Sequence, residues 1–335
     1  MELTQNEKKK IRETTKAEML RLSHGISIAD KMLKVSGARI KLELEGRTLD
    51  AVYYPAPAAE EEPPLIVGFH GGGFVFGGCA LNDAMWVAVT EKLRAPVISV
   101  GYRQGEKHAW KDSLKDAVDT INYLSLHAHD FQADFSRIFL MGQSAGALLA
   151  TTAALKMNLD RKGMSPGDEF DNIVPDGPAI NTLSNIQNCI MLYPLLDVAT
   201  ESDEKGDGSL KGPVCDVFQE VHCSDGNERN PLVSPIYASS EMLEGMPPTI
   251  IVTSENDNLR HEGFKYAKML EEAGVSVAWM MAEGMPHAYF ESGFKNPTDF
   301  EKQFLGENAD ELVESGAMHD WSVKTLEFIK ENLAK

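Results

Sequence analysis

The segment GQSAG at 142–146 directly follows an apolar run at 138–141. Glycine at both ends of this segment and alanine after the serine let the backbone turn more tightly than larger side chains would permit. A tight turn between a buried strand and a helix presents a serine hydroxyl at the carboxyl end of a sheet. The segment therefore predicts a strand–turn–helix unit of an α/β fold, with Ser144 as a candidate nucleophile.

A second glycine-rich segment, HGGGF at 70–74, follows the apolar run at 65–69. A serine hydroxyl is a weak nucleophile at neutral pH, so it needs a nearby base and donors for the negative charge that develops on the substrate oxygen. Glycines have no Cβ and can direct consecutive backbone N–H groups at one point. We therefore predict that Gly72, Gly73 and Ala145 donate to such an oxyanion.

Two polar residues stand in loops that follow later strands. Asp257 comes after a buried strand predicted at 249–253, and His287 comes after another predicted at 275–281. The chain order serine, aspartate, histidine is the order of the α/β-hydrolases and differs from the orders of chymotrypsin and subtilisin. Asp257 and His287 are thus the candidate acid and base, and Glu255 is an alternative acid in the same loop.

With these motifs in this order, the chain resembles the hormone-sensitive-lipase branch of the α/β-hydrolase carboxylesterases over roughly residues 40–335. The resemblance implies a catalytic triad of Ser144, Asp257 and His287, and it gives His70 a role in holding its loop. The segments that carry the resemblance are HGGGF with Gly77 and Asp83, Tyr102-Arg103, Ser136-Arg137-Ile138, GQSAG, Ser234-Pro235, Asp257-Asn258-Leu259-Arg260 with Glu262-Gly263, and Pro286-His287. The glycines that support these motifs are Gly71, Gly142 and Gly146.

The chain departs from the family pattern at three places. Gln143 stands where the family usually has aspartate or threonine, and Ala147 stands where it often has glycine. The segment at 106–110 lacks the usual prolines. The sequence GQSAGA is also similar to the type B carboxylesterases, but those chains are much longer, so length favours the former family.

Alternating apolar runs and helical patterns predict one mostly parallel sheet, covered on both faces, with a small helical cap. We expect residues 1–38 to form two helices, broken near 23–25, that belong to the cap. The catalytic core is predicted at 39–198 and 232–335. The insertion at 199–231 is predicted to complete a lid over Ser144, and the alternative is a surface excursion without contact to substrate.

The formal net charge of −19 argues against nucleic acid and anionic membranes as partners, because both would repel such a surface. A small neutral ester is the expected substrate. The sequence has no apolar run of about 18 residues and no signal-like N-terminus, so we expect a cytoplasmic protein. Its four cysteines are then reduced thiols, and Cys215 and Cys223 would pair only if the protein were exported.

These features together predict a serine carboxylesterase that needs no metal or organic cofactor and hydrolyses acetyl to hexanoyl esters through an acyl-enzyme. An amidase, a formamidase or an acyltransferase would use the same triad, and a non-catalytic receptor on this fold is a further alternative. We expect the pocket to be bordered by residues 77–80 and by four aromatic residues, Phe74, Phe76, Trp86 and Trp110. The strand at 275–281 is predicted to lie at a sheet edge and to form a homodimer.

Overall fold

The structure, a computed structural model, describes residues 4–58, 61–167, 173, 182–210 and 212–333. Its strands form one eight-stranded sheet in the order β1-β2-β4-β3-β5-β6-β7-β8. The strands are β1 (Ala38–Leu44), β2 (Arg47–Tyr54), β3 (Pro64–Phe69), β4 (Val97–Gly101), β5 (Asp134–Gln143), β6 (Ile186–Leu192), β7 (Thr249–Asn256) and β8 (Val277–Pro286).

Helices cover this sheet and extend beyond it. Among the described residues, the α-helices are α1 (Gln5–Met32), α2 (Asp83–Leu93), α3 (Trp110–His127), α4 (Ala145–Lys162), α5 (Gly212–His222), α6 (Ser240–Leu243), α7 (Arg260–Glu272), α8 (Tyr289–Ser292), α9 (Asp299–Leu305), α10 (Ala309–Glu314) and α11 (Ala317–Asn332). Short 3₁₀ helices lie at Ala128–Phe131, Thr182–Asn185, Ser202–Glu204 and Pro235–Tyr237.

The sheet is mostly parallel. β1 and β2 form an antiparallel hairpin, and β2 also pairs antiparallel with β4. The hairpin turns at Gly46, whose φ of 73° lies in the left-handed region that glycine adopts without a steric penalty. All later pairings, from β3–β4 to β7–β8, are parallel, so β3 and β5 to β8 bring their carboxyl ends to one edge of the sheet. The predicted fold class, the α/β-hydrolase fold, is confirmed.

Both faces of the sheet are buried, as the near-continuous apolar strands predict. In β3, Leu65 and Val67 belong to one apolar core and Ile66 belongs to the other, because successive side chains of a strand point to opposite faces. Gly68 lies beneath the Trp86 ring, where an added Cβ would come within 2.6 Å of a ring carbon. A larger residue at 68 would therefore push α2 away from the sheet.

The N-terminal region is one helix, and the prediction of two helices with a break near 23–25 was wrong. Glycine costs about 1 kcal/mol in a helix interior, and no proline enforces a break. That cost is offset because side chains that precede Gly25 anchor α1. Met19 is buried in an apolar cluster, and the Ser23 hydroxyl donates a 2.5 Å hydrogen bond to the carbonyl oxygen of Val75.

Helix α5 of the insertion packs against α1. Their apolar side chains meet the end of the HGGGF loop in a cluster that contains Met19, Val75, Phe76, Val217, Phe218 and Val221. An added Cβ at Gly73 would lie only 2.0 Å from the Phe218 ring, so α5 rests directly on the glycine loop. The insertion is thus in contact with the segment predicted to bind the oxyanion, and its role as a lid stays a prediction.

β8 lies at the end of the sheet, as its position in the sequence predicted. The homodimer through this strand stays a prediction.

Candidate active site

Ser144 occupies the turn between β5 and α4. Its φ of 52° and ψ of −116° place a non-glycine residue in a strained backbone conformation, which packing on both sides must hold. An added Cβ at Gly142 would lie 2.2 Å from the carbonyl oxygen of Gly146, and one at Gly146 would lie 2.1 Å from that of Phe69. Only glycine fits at both positions, so the sequence pattern follows directly from the tight turn.

The structure brings together the three residues predicted as the triad. Nε2 of His287 lies 2.9 Å from the Ser144 hydroxyl oxygen, and Nδ1 of His287 lies 2.7 Å from Oδ2 of Asp257. The other oxygen of Asp257 accepts a 3.0 Å hydrogen bond from the backbone N–H of Leu259. A carboxylate can only accept, so Nδ1 carries the proton and Nε2 is free to accept one from serine.

The environment of His287 strengthens it as a base. Burial alone would lower its pKa, because the imidazolium loses its hydration. The charge of Asp257 and its hydrogen bond to Nδ1 outweigh burial, and the pKa of His287 is raised above its ordinary value. The same carboxylate therefore stabilises the imidazolium that would form when serine gives up its proton.

Glu255, the alternative acid, points elsewhere. It is exposed, and its Oε2 accepts a 2.7 Å hydrogen bond from the backbone N–H of Gly284. Asp257, by contrast, is fully buried against the histidine ring. In the structure Asp257, and not Glu255, contacts His287.

The glycine loop is held from below by His70 and Tyr102. Nδ1 of His70 lies 2.7 Å from the carbonyl oxygen of Gly71, its ring stacks on Tyr102 at 4.3 Å, and the Tyr102 hydroxyl donates to the carbonyl oxygen of His70. Burial lowers the pKa of His70, which keeps the ring neutral. Gly72 and Gly73 follow with φ values of 116° and 63°, and both require glycine.

Ser144, His287 and the loop at 70–73 line one cavity of about 460 Å³, a size typical of small-molecule sites. Most of its wall is apolar and comes from α1, α5 and α9. The side chains of this apolar wall are Leu22, Ile26, Ala29, Phe76, Leu81, Leu210, Phe218, Ala288, Phe300 and Phe304.

A family model described as the alpha/beta hydrolase fold matches residues 66–291. The chain belongs to this α/β-hydrolase family. Ethyl acetate hydrolase of Pseudomonas putida is 26% identical, with 74% of each chain covered, and carboxylesterase NlhH of Mycobacterium tuberculosis is 29% identical, covering 71% of this chain and 70% of that one. A solved thermostable esterase from Pseudomonas putida superimposes with a TM-score of 0.71 at 23% identity, over 95% of this chain and 91% of the other, which shows the shared fold.

The predicted pocket walls are only partly correct. Phe76, Gly77 and Gly78 line the cavity of this family member, but Cys79, Ala80 and the other three aromatic residues do not. Phe74 stacks on the ring of His222, Trp86 covers the opposite face of the sheet, and Trp110 is buried in the core around α3. Nearness in sequence to the glycine loop did not indicate which way the Phe74 ring points, and Trp86 and Trp110 belong to helices α2 and α3, which bury their rings away from the cavity.

Sequence reasoning missed Tyr193 and Glu291. Glu291 lines the cavity, and its carboxylate accepts a hydrogen bond from the Tyr193 hydroxyl. The Tyr193 ring in turn packs edge-on against His287 at 5.0 Å. Burial raises the pKa of Glu291. No sequence signal pointed to Glu291, because His287 precedes helix α8 and helical spacing therefore does not relate the two residues.

Three sequence expectations concerned thiols, metals and membranes. Cys215 and Cys223 are buried free thiols, so the disulfide considered for an exported protein is not formed. Across the described ranges, no three His, Cys, Asp or Glu side chains are grouped so that they could hold a metal ion. Each helix in those ranges is too short or too polar to cross a bilayer.

Proposed function

We propose that the protein is a serine carboxylesterase that hydrolyses small neutral esters with acetyl to hexanoyl groups through an acyl-enzyme. The enzyme is a carboxylic ester hydrolase by its family and by relatives named as an ethyl acetate hydrolase and a carboxylesterase. The observation that carries the mechanism is the hydrogen-bonded chain from Asp257 through His287 to Ser144.

Acylation begins when the Ser144 oxygen attacks the ester carbonyl carbon and Nε2 of His287 takes the hydroxyl proton. Asp257 fixes the ring orientation and stabilises the imidazolium. The backbone N–H groups of Gly72, Gly73 and Ala145 stabilise the negative oxygen of the tetrahedral intermediate. The intermediate collapses to the acyl-enzyme, and the alcohol leaves with the proton from His287.

Deacylation repeats these steps with water as the nucleophile. His287 removes a proton from water as its oxygen attacks the acyl carbon, and it returns that proton to the Ser144 oxygen as the carboxylic acid leaves. Each step uses groups that the chain itself supplies.

The direct test uses purified protein and two matched substrates, 4-nitrophenyl butyrate and its 4-nitroanilide, without added metal. We expect fast release of 4-nitrophenol and much slower release of 4-nitroaniline. A preference for the anilide would indicate an amidase, and no turnover of a series of small esters would contradict the proposed function.

The size of the cavity supports short acyl groups. Phe76, Phe218 and Phe304 pack together in the wall of this cavity of about 460 Å³. An acyl chain gains about 0.8 kcal/mol per methylene only while it finds apolar wall to bury against. We expect kcat/KM for 4-nitrophenyl esters to peak between acetate and hexanoate and to fall steeply beyond. The measurement is a chain-length series up to palmitate. A maximum at decanoate or longer would contradict the proposal.

The charge of the cavity supports a neutral substrate. Two carboxylates, Glu291 and Glu301, line it, while its described lining includes no lysine or arginine. Glu301 is paired with Lys295 at 2.5 Å, whereas Glu291 accepts its hydrogen bond from a neutral tyrosine hydroxyl. An anionic group on the substrate would meet Glu291 without a compensating cation among these lining residues.

We therefore expect ethyl 4-methylpentanoate to be hydrolysed at least about tenfold faster, as kcat/KM, than its anionic isostere monoethyl succinate at about pH 8. Glu291→Gln keeps an acceptor for Tyr193 and removes the charge, so it should narrow this ratio. Glu283→Gln, at an exposed site outside the cavity lining, is the control and should leave the ratio unchanged. Equal rates of the wild type on both esters would contradict a neutral-substrate site.

A further inference from the structure

The segment 205–210 of the insertion, which we call the strap, lies against the loop that carries Asp257. One strap residue, Ser209, contacts both loops of the triad. Its backbone N–H donates a 2.9 Å hydrogen bond to the carbonyl oxygen of Asn256, and its hydroxyl oxygen accepts a 2.9 Å hydrogen bond from the backbone N–H of His287. The acid and the base therefore share one neighbour from the cap.

Asn258 holds the strap at positions on either side of Ser209. Its Nδ2 donates a 2.8 Å hydrogen bond to the carbonyl oxygen of Gly206, and its Oδ1 accepts a 3.1 Å hydrogen bond from the backbone N–H of Leu210. An added Cβ at Gly208 would lie 2.2 Å from the backbone nitrogen of Asn258. The two backbones thus approach so closely that only glycine fits between them.

Arg260 joins the same two segments through one nitrogen. Its Nη1 donates to the carbonyl oxygens of Asp207, at 2.6 Å, and of Asp257, at 2.8 Å. The carbonyl group of the triad acid is therefore linked through one guanidinium to the backbone of the strap.

The strap begins at a buried ion pair. Nζ of Lys205 lies 2.6 Å from Oε1 of Glu262 and donates a hydrogen bond to the carbonyl oxygen of Asp197. The side chains of the pair are 3% and 9% exposed, so neither charge can turn to water. Oε2 of Glu262 accepts from the backbone N–H groups of Leu196 and Asp197. Lifting the strap would carry Lys205 away and leave the buried Glu262 carboxylate without its counter-ion, so the ion pair opposes such a movement.

We propose that Ser209 is a positioning residue for catalysis, and that the strap fixes the Asp257 and His287 loops relative to one another. The inference rests on the proposed function. Displacements of about 1 Å in a catalytic constellation can cost 10²-fold in rate, so a bond shared by both loops is well placed to matter. It follows that the strap is a part of the cap held in place at both triad loops.

Ser209→Ala tests this directly, because it removes the acceptor for the His287 N–H and leaves the triad side chains in place. We expect kcat for 4-nitrophenyl butyrate to fall about 10- to 100-fold with KM changed less than about twofold. The rate of inactivation by an organophosphate should fall in parallel. Ser209→Thr keeps the hydroxyl, and Gly306 beside it has no side chain, so it should restore most of kcat. Ser224→Ala, an exposed serine of the same insertion, is the matched control.

A purely structural role for Ser209 would lower stability without changing the pH profile. A loosened Asp257–His287 contact would raise the pKa of His287 less, so the acid limb of kcat/KM should move to lower pH in Ser209→Ala. An unchanged kcat and acid limb in the folded variant would overturn the proposal, as would a loss that threonine does not restore. If Ser209→Ala does not fold, Asn258→Ala decides by the same readouts. Hydrolysis by the wild type tests the proposed function separately.

Discussion

Ser144→Ala is expected to lower kcat for 4-nitrophenyl butyrate by roughly 10⁶-fold, because the variant has no oxygen to form the acyl-enzyme. The residual rate would come from the oxyanion donors and from substrate binding. Active-site titration with an organophosphate and mass spectrometry should find one labelled residue in the wild type, Ser144, and none in the variant. Turnover near the wild-type level would contradict the nucleophile assignment.

A second serine controls for the loss of a buried hydroxyl. Ser254 is fully buried on β7, and its hydroxyl has no hydrogen-bond partner in the part of the chain that the structure describes. Ser254→Ala removes the same atom from the core without touching the cavity, so it should keep kcat close to the wild-type value. A large loss there would mean that activity responds to packing at this sheet edge as well as to the nucleophile.

Asp257→Asn is expected to lower kcat by about 10⁴-fold with little change in the fold. The amide can donate to Nδ1 of His287 and so favours the tautomer whose Nε2 carries the proton, which cannot accept one from serine. Glu255→Gln is the matched control in the same loop, and it should change kcat little because that side chain is exposed and bonds Gly284. The reverse ranking of the two variants would transfer the role of the acid to Glu255.

The pH dependence of kcat/KM tests the Asp257→Asn and Glu255→Gln variants independently of kcat. Only neutral His287 can accept the serine proton, so kcat/KM falls as pH drops through its pKa. The Asp257 carboxylate raises that pKa. Asp257→Asn should therefore move the acid limb of its residual activity to lower pH, and Glu255→Gln should not move it.

The sequence predicted the sheet and the elbow because backbone sterics determine both. An added Cβ at residue 142 or 146 would lie only 2.2 or 2.1 Å from a backbone carbonyl oxygen, so both positions require glycine. The glycine motif therefore reflects the geometry of the turn directly. Buried parallel strands need apolar side chains on both faces, which makes them visible as continuous runs. Because the strands from β5 to β8 are parallel, the loops of Asp257 and His287 lie at the same edge of the sheet as the elbow.

The cap was predicted less well, because its structure depends on contacts between segments far apart in the chain. The anchoring of α1 by Ser23 depends on a carbonyl oxygen 52 residues away, which no local pattern contains. The contact of Ser209 with His287 spans 78 residues. Glu291 was overlooked because an acidic residue in an acidic chain gives no signal until its cavity is known.

The contact between Gly73 and Phe218 limits which substitutions the glycine loop and helix α5 can each accept independently of the other. A residue larger than glycine at 73 requires a smaller residue at 218 or a displacement of α5, and a bulkier residue at 218 would displace α5, because glycine cannot become smaller. Substitutions at these two positions are therefore coupled through a single van der Waals contact. A chimaera that takes its cap from another esterase would inherit a helix shaped for a different loop, so the glycine segment and the cap would have to be exchanged together.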